Sequence, residues 1–113
     1  MRRATELGPR DDREVELLER ERLGGGDPDQ FRVVILNDNY TPMDFVVIVL
    51  ETIFLKSPAE SYGIMMRVHR DGRGVAGVYP FEIAETKAAW VEIEAQANGF
   101  PLRAAVEPDV PTA

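Results

Sequence analysis

The run Phe31-Arg32-Val33-Val34-Ile35-Leu36 is almost unbroken in apolar, largely β-branched residues, and it leads straight into Asn37-Asp38-Asn39-Tyr40-Thr41-Pro42-Met43. From Asp44 to Phe54 apolar residues then recur at helical spacing. Such a run reads as a strand covered by other elements. Asn37, Asp38 and Asn39 carry short polar side chains that hydrogen-bond to nearby backbone and tolerate turn geometry. Thr41 is suited to cap a helix, Pro42 to fill its first position, and Asp44 to sit near its positive end. The chain is therefore expected to pass from strand through polar turn to helix. Three amide or carboxylate groups are displayed at the junction.

The rest of the chain has to fit around that junction. The first strand is expected at about Gln30 to Leu36 and the first helix from Pro42 to about Leu55. Phe45, Val49 and Ile53 form one stripe of that helix, with Val46, Leu50 and Phe54 beside it. Ser57-Pro58-Ala59-Glu60 reads as a capping box with proline at the first helical position, starting a second helix that Asp71-Gly72 ends. Ser61, Ile64, Met65 and Val68 lie toward one side of it. Val75 to Tyr79 is a short apolar strand. A third helix runs from about Phe81 to Ala97, stopped by Asn98-Gly99, with Ala84, Ala88, Val91 and Ala95 as a small-residue stripe suited to close packing on a sheet. Leu102 to Val106 is the last strand. The order β-α-α-β-α-β implies an α+β domain, three antiparallel strands covered on one face by helices.

At 113 residues the chain has room for one domain with a modest core, and a hydrophobic content of 44% is enough for it to fold alone. Three parts are expected: a flexible N-terminal extension at 1–30, a core at 31–107 and a frayed end at 108–113. Within the extension, Asp11 to Leu23 is densely charged and can form a transient helix, which Gly24-Gly25-Gly26 breaks. From its residues alone this tail reads as a mobile, unused terminus on a flexible joint.

Composition removes several chemistries. A net charge of −7 argues against a nucleic-acid footprint. The absence of cysteine rules out disulfides and cysteine-based zinc sites. No apolar segment approaches bilayer-crossing length, and the N-terminus lacks a signal-peptide apolar region. With one histidine, no phosphate-binding glycine loop and no nucleophile elbow at Ser57 or Ser61, no catalytic set is expected, and no metal or cofactor. His69 has two readings. It ends the second helix as a surface residue complementing the helix dipole, or it joins the Asn37-Asp38-Asn39 turn in rimming an apolar hole, with Met65 one turn earlier on its face. The second arrangement suits a peptide's α-ammonium, which needs acceptors around it, followed by a side chain that needs an apolar pocket. Ile35, Val46 and Val68 also read as plain core.

Asn37-Asp38-Asn39-Tyr40-Thr41-Pro42-Met43 resembles the Asn-Asp-Asp-Tyr-Thr-Pro-Met signature of the ClpS family, adaptors that hand N-degron substrates to a Clp-family AAA+ unfoldase. Met65-Met66-Arg67-Val68-His69, Gly77-Val78-Tyr79, Glu82-Ile83-Ala84-Glu85-Thr86-Lys87 and Pro101-Leu102 follow in the family's order, so the likeness spans about Phe31 to Glu107. It implies a fold similar to the C-terminal domain of a ribosomal stalk protein, and a non-enzymatic, monomeric, cytoplasmic adaptor without cofactor. It also implies recognition of N-terminal Leu, Phe, Tyr or Trp. By position, Asn37, Asp38, Asn39 and His69 match the surroundings of the α-amino group. Ile35, Thr41, Met43, Val46, Met65, Val68 and Leu102 match the side-chain pocket, with Met43 as the gatekeeper against β-branched first residues. Glu82 and Lys87, bottom-up ordinary solvated charges, match positions that face the N-terminal domain of a ClpA-like unfoldase, and the extension matches a segment that engages it.

The chain departs from the family at Asn39, where Asp is usual. Amide for carboxylate keeps an acceptor but loses a charge-assisted bond, so weaker amine binding and narrower specificity are expected. Pro80 stands where a small capping residue is common, which shifts the expected start of the third helix. Two other roles remain: a regulator that docks on the unfoldase without delivering N-degrons, and a stalk-like ribosomal module.

Overall fold

The computed structural model describes residues 29–111; the extension expected at 1–30 falls outside them except for its last two positions. The strand at the head of the junction becomes the middle of the sheet. The elements are β1 (Gln30–Leu36), α1 (Met43–Thr52), α2 (Pro58–Asp71), β2 (Arg73–Pro80), α3 (Phe81–Ala97) and β3 (Arg103–Pro108). The sheet runs β2-β1-β3 with both pairings antiparallel. Leu36 faces Arg73 on one side and Arg103 on the other. This is the expected α+β order.

Alternation along β1 divides the two faces. Val33 and Ile35 point into the core beneath the helices, where they meet Val49, Leu50, Met65, Val68, Val91 and Leu102. Arg32, Val34 and Leu36 point to the other face. There Glu107 takes Arg73 at 2.7 Å and Arg32 at 3.2 Å. The small stripe of α3 is buried as its composition requires, since Ala84, Ala88, Val91 and Ala95 let the helix axis approach the strands.

Strand β2 is longer than expected, Arg73–Pro80 rather than Val75 to Tyr79, and both ends of α1 move. Helix α1 begins at Met43, with Pro42 as the residue before it and no side-chain cap. Thr41 stands one position too early to cap it, and its hydroxyl is turned back to Asp38 Oδ2, to which it donates at 2.8 Å. The same helix stops at Thr52 rather than near Leu55, which takes a left-handed φ of 56°. The orphaned end is closed by Lys56 N–H to the Leu50 carbonyl at 3.1 Å and by Lys87 Nζ to the Ile53 carbonyl at 2.8 Å.

Helix α2 starts as read. Ser57 Oγ accepts from Glu60 N–H at 3.1 Å while Glu60 Oε1 accepts from Ser57 N–H at 3.3 Å. It ends at Gly72, whose φ of 88° costs a glycine little. Gly74 follows because α2 presses on β2 there: a Cβ would stand 2.8 Å from Val68 Cγ2. At the chain's far end, β3 begins one residue later than expected and reaches Pro108. Asp109 N–H donates to the Gln30 carbonyl at 2.9 Å and the Arg32 guanidinium to the Val110 carbonyl at 3.0 Å. The end expected to fray from Pro108 is held as far as Val110.

Candidate functional site

The polar turn after β1 is built by Asp38. Its Oδ1 accepts from the backbone N–H of Tyr40 at 2.8 Å and of Thr41 at 2.7 Å, and its Oδ2 accepts the Thr41 hydroxyl. Burial opposes ionisation of this carboxyl, but the hydrogen bonds from the backbone of Thr41 and Tyr40 and from the Thr41 hydroxyl outweigh it and hold the pKa below the ordinary 3.8. Asp38 is therefore an anion that organises the turn it sits in. Asn37 fixes the turn from the other side, donating its backbone N–H to the Gly72 carbonyl at 3.0 Å. That single bond joins the end of β1 to the end of α2.

A hollow lies between these two anchored pieces. It is lined by Asn37, Asp38, Thr41, Met43, Val46, Met65, Val68, His69 and Leu102, drawn from the turn, the start of α1, the second half of α2 and the residue before β3. Val46, Met65, Val68 and Leu102 are buried and make apolar walls. Asn37 and His69 are exposed, Asp38 and Thr41 half-buried, and together they bring amide, carboxylate, hydroxyl and imidazole to the mouth. Met43, 46% exposed, stands over the opening. The free space is about 10 Å³, room for roughly one water.

Two residues expected at this site lie apart from its lining. Ile35 is fully buried beneath it in the core, and Asn39 is exposed on the turn but outside the hollow. The second pair of candidates also separates. Glu82 is exposed in the first turn of α3, as a solvated charge should be. Lys87 differs from its expected solvated state. It is only 5% exposed, bonded to the Ile53 carbonyl, with its ammonium 5.3 Å from the Tyr79 ring centre, 5.8 Å from Trp90 and 5.9 Å from Phe54. Three rings and an orphaned helix carbonyl make a site for an internal cation. The aromatic residues were visible in the sequence, but nothing in their spacing showed that they converge on one amine.

Sequence reasoning also missed a wider groove on the opposite side of α2, of about 600 Å³, lined by Lys56, Glu60, Gly63, Ile64, Arg67 and the outer part of β2. Its only local signal was a glycine inside a helical stretch.

Comparisons with known proteins converge. Residues 26–105 match the family model of the ATP-dependent Clp protease adaptor protein ClpS. The ATP-dependent Clp protease adapter protein ClpS of Oleidesulfovibrio alaskensis is 52% identical over 101 residues, 89% of this chain and 93% of that one. Its counterpart from Wolinella succinogenes is 49% identical over 88 residues, 78% and 86% of the two chains. Among solved structures, Agrobacterium tumefaciens ClpS2 bound to L-phenylalaninamide superposes with a TM-score of 0.70 at 40% identity, covering 74% of this chain and all of that one.

Proposed function

The chain belongs to the ClpS family of Clp protease adaptors, and from that premise we propose that it binds the free α-amino group and bulky apolar first side chain of N-degron proteins and delivers them to a ClpA-like AAA+ unfoldase. One observation carries the reading: residues from four separate segments close one apolar hollow with hydrogen-bonding groups at its mouth. An α-ammonium offers three donors and a charge, which the Asn37 amide, the Asp38 anion and the His69 imidazole are placed to meet. The adjoining side chain leaves water for walls made by Val46, Met65, Val68 and Leu102. Phenylalaninamide, the ligand of the related ClpS2, has this chemistry: a free amine beside a benzyl group.

Because the hollow holds only about one water, Met43 and Met65 have to swing aside for a Leu or Phe side chain. A β-branched first residue places bulk at the mouth, under Met43, and is disfavoured there. Asn39 contributes through the turn rather than the wall. Delivery requires a second surface, which we place at the start of α3. Glu82 meets the unfoldase's N-terminal domain directly, while Lys87 acts from within by holding the end of α1 against α3.

Peptides differing only in their first residue, titrated with free and with acetylated amines, test the reading. Binding of Phe- and Leu-initiated peptides that acetylation abolishes is the expected result. The nearly closed hollow supports a second role, a regulator that docks on the unfoldase without delivering N-degrons. It requires unfoldase binding with no preference among peptide N-termini.

A further inference from the structure

The two margins of the sheet are treated differently. At β3 the outward N–H of Ala104 is taken by Glu92 Oε2 at 3.1 Å, which blunts that edge. At β2 no hydrogen bond reaches the backbone of Val75–Val78 from beyond the sheet among the described residues, and the pairing with β1 slips by one residue at Ala76, between Val75 and Gly77. Alongside this open edge runs the groove between β2 and α2. Gly63 sits in the groove wall, in the interior of α2, where glycine weakens a helix. A Cβ built there meets no atom within 4 Å, so the glycine answers to no crowding within the described chain. What it does is keep the wall of α2 low.

Charge identifies the occupant. The chain carries −7 overall, yet Lys56 and Arg67 border the groove and Arg32, Arg73 and Arg103 stand on the adjoining sheet face. The face arginines have carboxylate partners: Glu107 for Arg32 and Arg73, Glu92 for Arg103. Lys56 and Arg67 have none within 4.0 Å among the described residues, and Glu60 between them is engaged in capping α2. We propose that this groove receives an acidic peptide in extended conformation, which pairs with Val75–Val78 as a fourth strand and sets its carboxylates against Lys56 and Arg67. Main-chain bonds supply the attachment and the two cations choose the sign of the partner. The site lies across α2 from the amine-binding hollow and does not depend on the reading given to that hollow.

The test uses the full chain and a short peptide alternating glutamate and valine, acetylated and amidated at its ends so that it offers no α-amine. Matched peptides alternate lysine with valine, or carry a proline in place of the central valine. Affinity is read by fluorescence anisotropy and the contact by amide hydrogen exchange. The acidic peptide is expected to bind about tenfold more tightly than the basic one, from two rim charges. It should slow exchange at Val75–Val78, and the proline peptide should do neither. Gly63→Leu and Arg67→Glu should each weaken that binding while a Phe-initiated peptide with a free amine binds as before. Equal affinity for the acidic and basic peptides, or binding indifferent to Gly63→Leu, overturns the proposal. So do amides at Val75–Val78 that are already slow in the chain alone, whether from a second copy or from its own N-terminal segment. Loss of free-amine binding in a chain that still takes the blocked acidic peptide would count against the function proposed above and leave this site standing.

Discussion

Helix α2 has a different recognition surface on each side. Met65, Val68 and His69 face a hollow of about 10 Å³ lined by residues of four segments, whereas Glu60, Gly63, Ile64 and Arg67 face a groove of about 600 Å³ lined across from them by Val75–Val78 of β2. The first is small, apolar within and bordered by an anion. The second is broad, basic at its border and runs along a strand edge. A side-chain hollow discriminates by shape and by the cost of leaving a polar group unpaired. A strand edge discriminates little by itself and relies on the charges beside it. On the two proposals made above, one helix would serve both selective and permissive binding, provided the two sides vary independently.

That independence can be attacked first at the hollow. Met65→Ala should lower stability by about 2–5 kcal/mol in urea denaturation, because a buried, well-packed side chain leaves a cavity. Exchange at the edge of β2 should stay as it was in conditions where the variant is folded; faster exchange there would mean that the two sides are one unit. Next in size is Asp38→Asn, which leaves one neutral oxygen to accept from the Tyr40 and Thr41 N–H groups and puts an amide donor where Oδ2 accepted the Thr41 hydroxyl. We expect a loss of about 1–3 kcal/mol together with loss of binding to Phe-initiated peptides.

The same carboxyl sets a pH signature. Its folded pKa lies below its unfolded value, so the stability it supplies is complete above the unfolded value and is lost as pH falls through the folded one. Thermal melts should show no contribution from Asp38 to any change near neutrality, and Asp38→Asn should remove the part of the acid decline that lies below about 3.8 while the part carried by Glu107, whose pKa Arg73 holds down, remains. On the groove side, Gly63→Ala should raise stability by up to about 1 kcal/mol, since alanine suits a helix interior and its Cβ has open space. Free-amine peptide affinity should not change. The smallest effect is expected from Asn39→Asp, a few-fold tightening of a Phe-initiated peptide, about 0.5–1 kcal/mol, because Asn39 lies outside the lining and acts at a distance. Unchanged or weakened affinity would show that the added charge does not reach the amine.

The contrast also explains what could be read from the residues. The polar turn, the capping box at Ser57 and the glycine stop at Gly72 are local signals, and β1 and α2, whose ends they mark, appear where expected. The cap assigned to Thr41 failed because the helix begins one residue later than read, which leaves Pro42 at the cap position while the Thr41 hydroxyl turns back to Asp38. Nine side chains named for the site line one hollow, because the family likeness carried their long-range convergence, which periodicity alone cannot supply. Lys87 was misread as solvated because its partners, the Ile53 carbonyl and the rings of Phe54, Tyr79 and Trp90, come from distant parts of the chain. The groove was invisible for a different reason. It lies between α2 and an edge of β2 that meet only in the fold, and no local pattern spells that meeting.

The bond from Asn37 N–H to the Gly72 carbonyl belongs to the peptide units, not to the asparagine side chain. Whatever residues occupy 37 and 69, the frame that spaces them stays the same width. Exchanging those two side chains together would thus sample ligand chemistry at constant aperture, making the pair a natural place to retune which chain beginnings are accepted without rebuilding the domain.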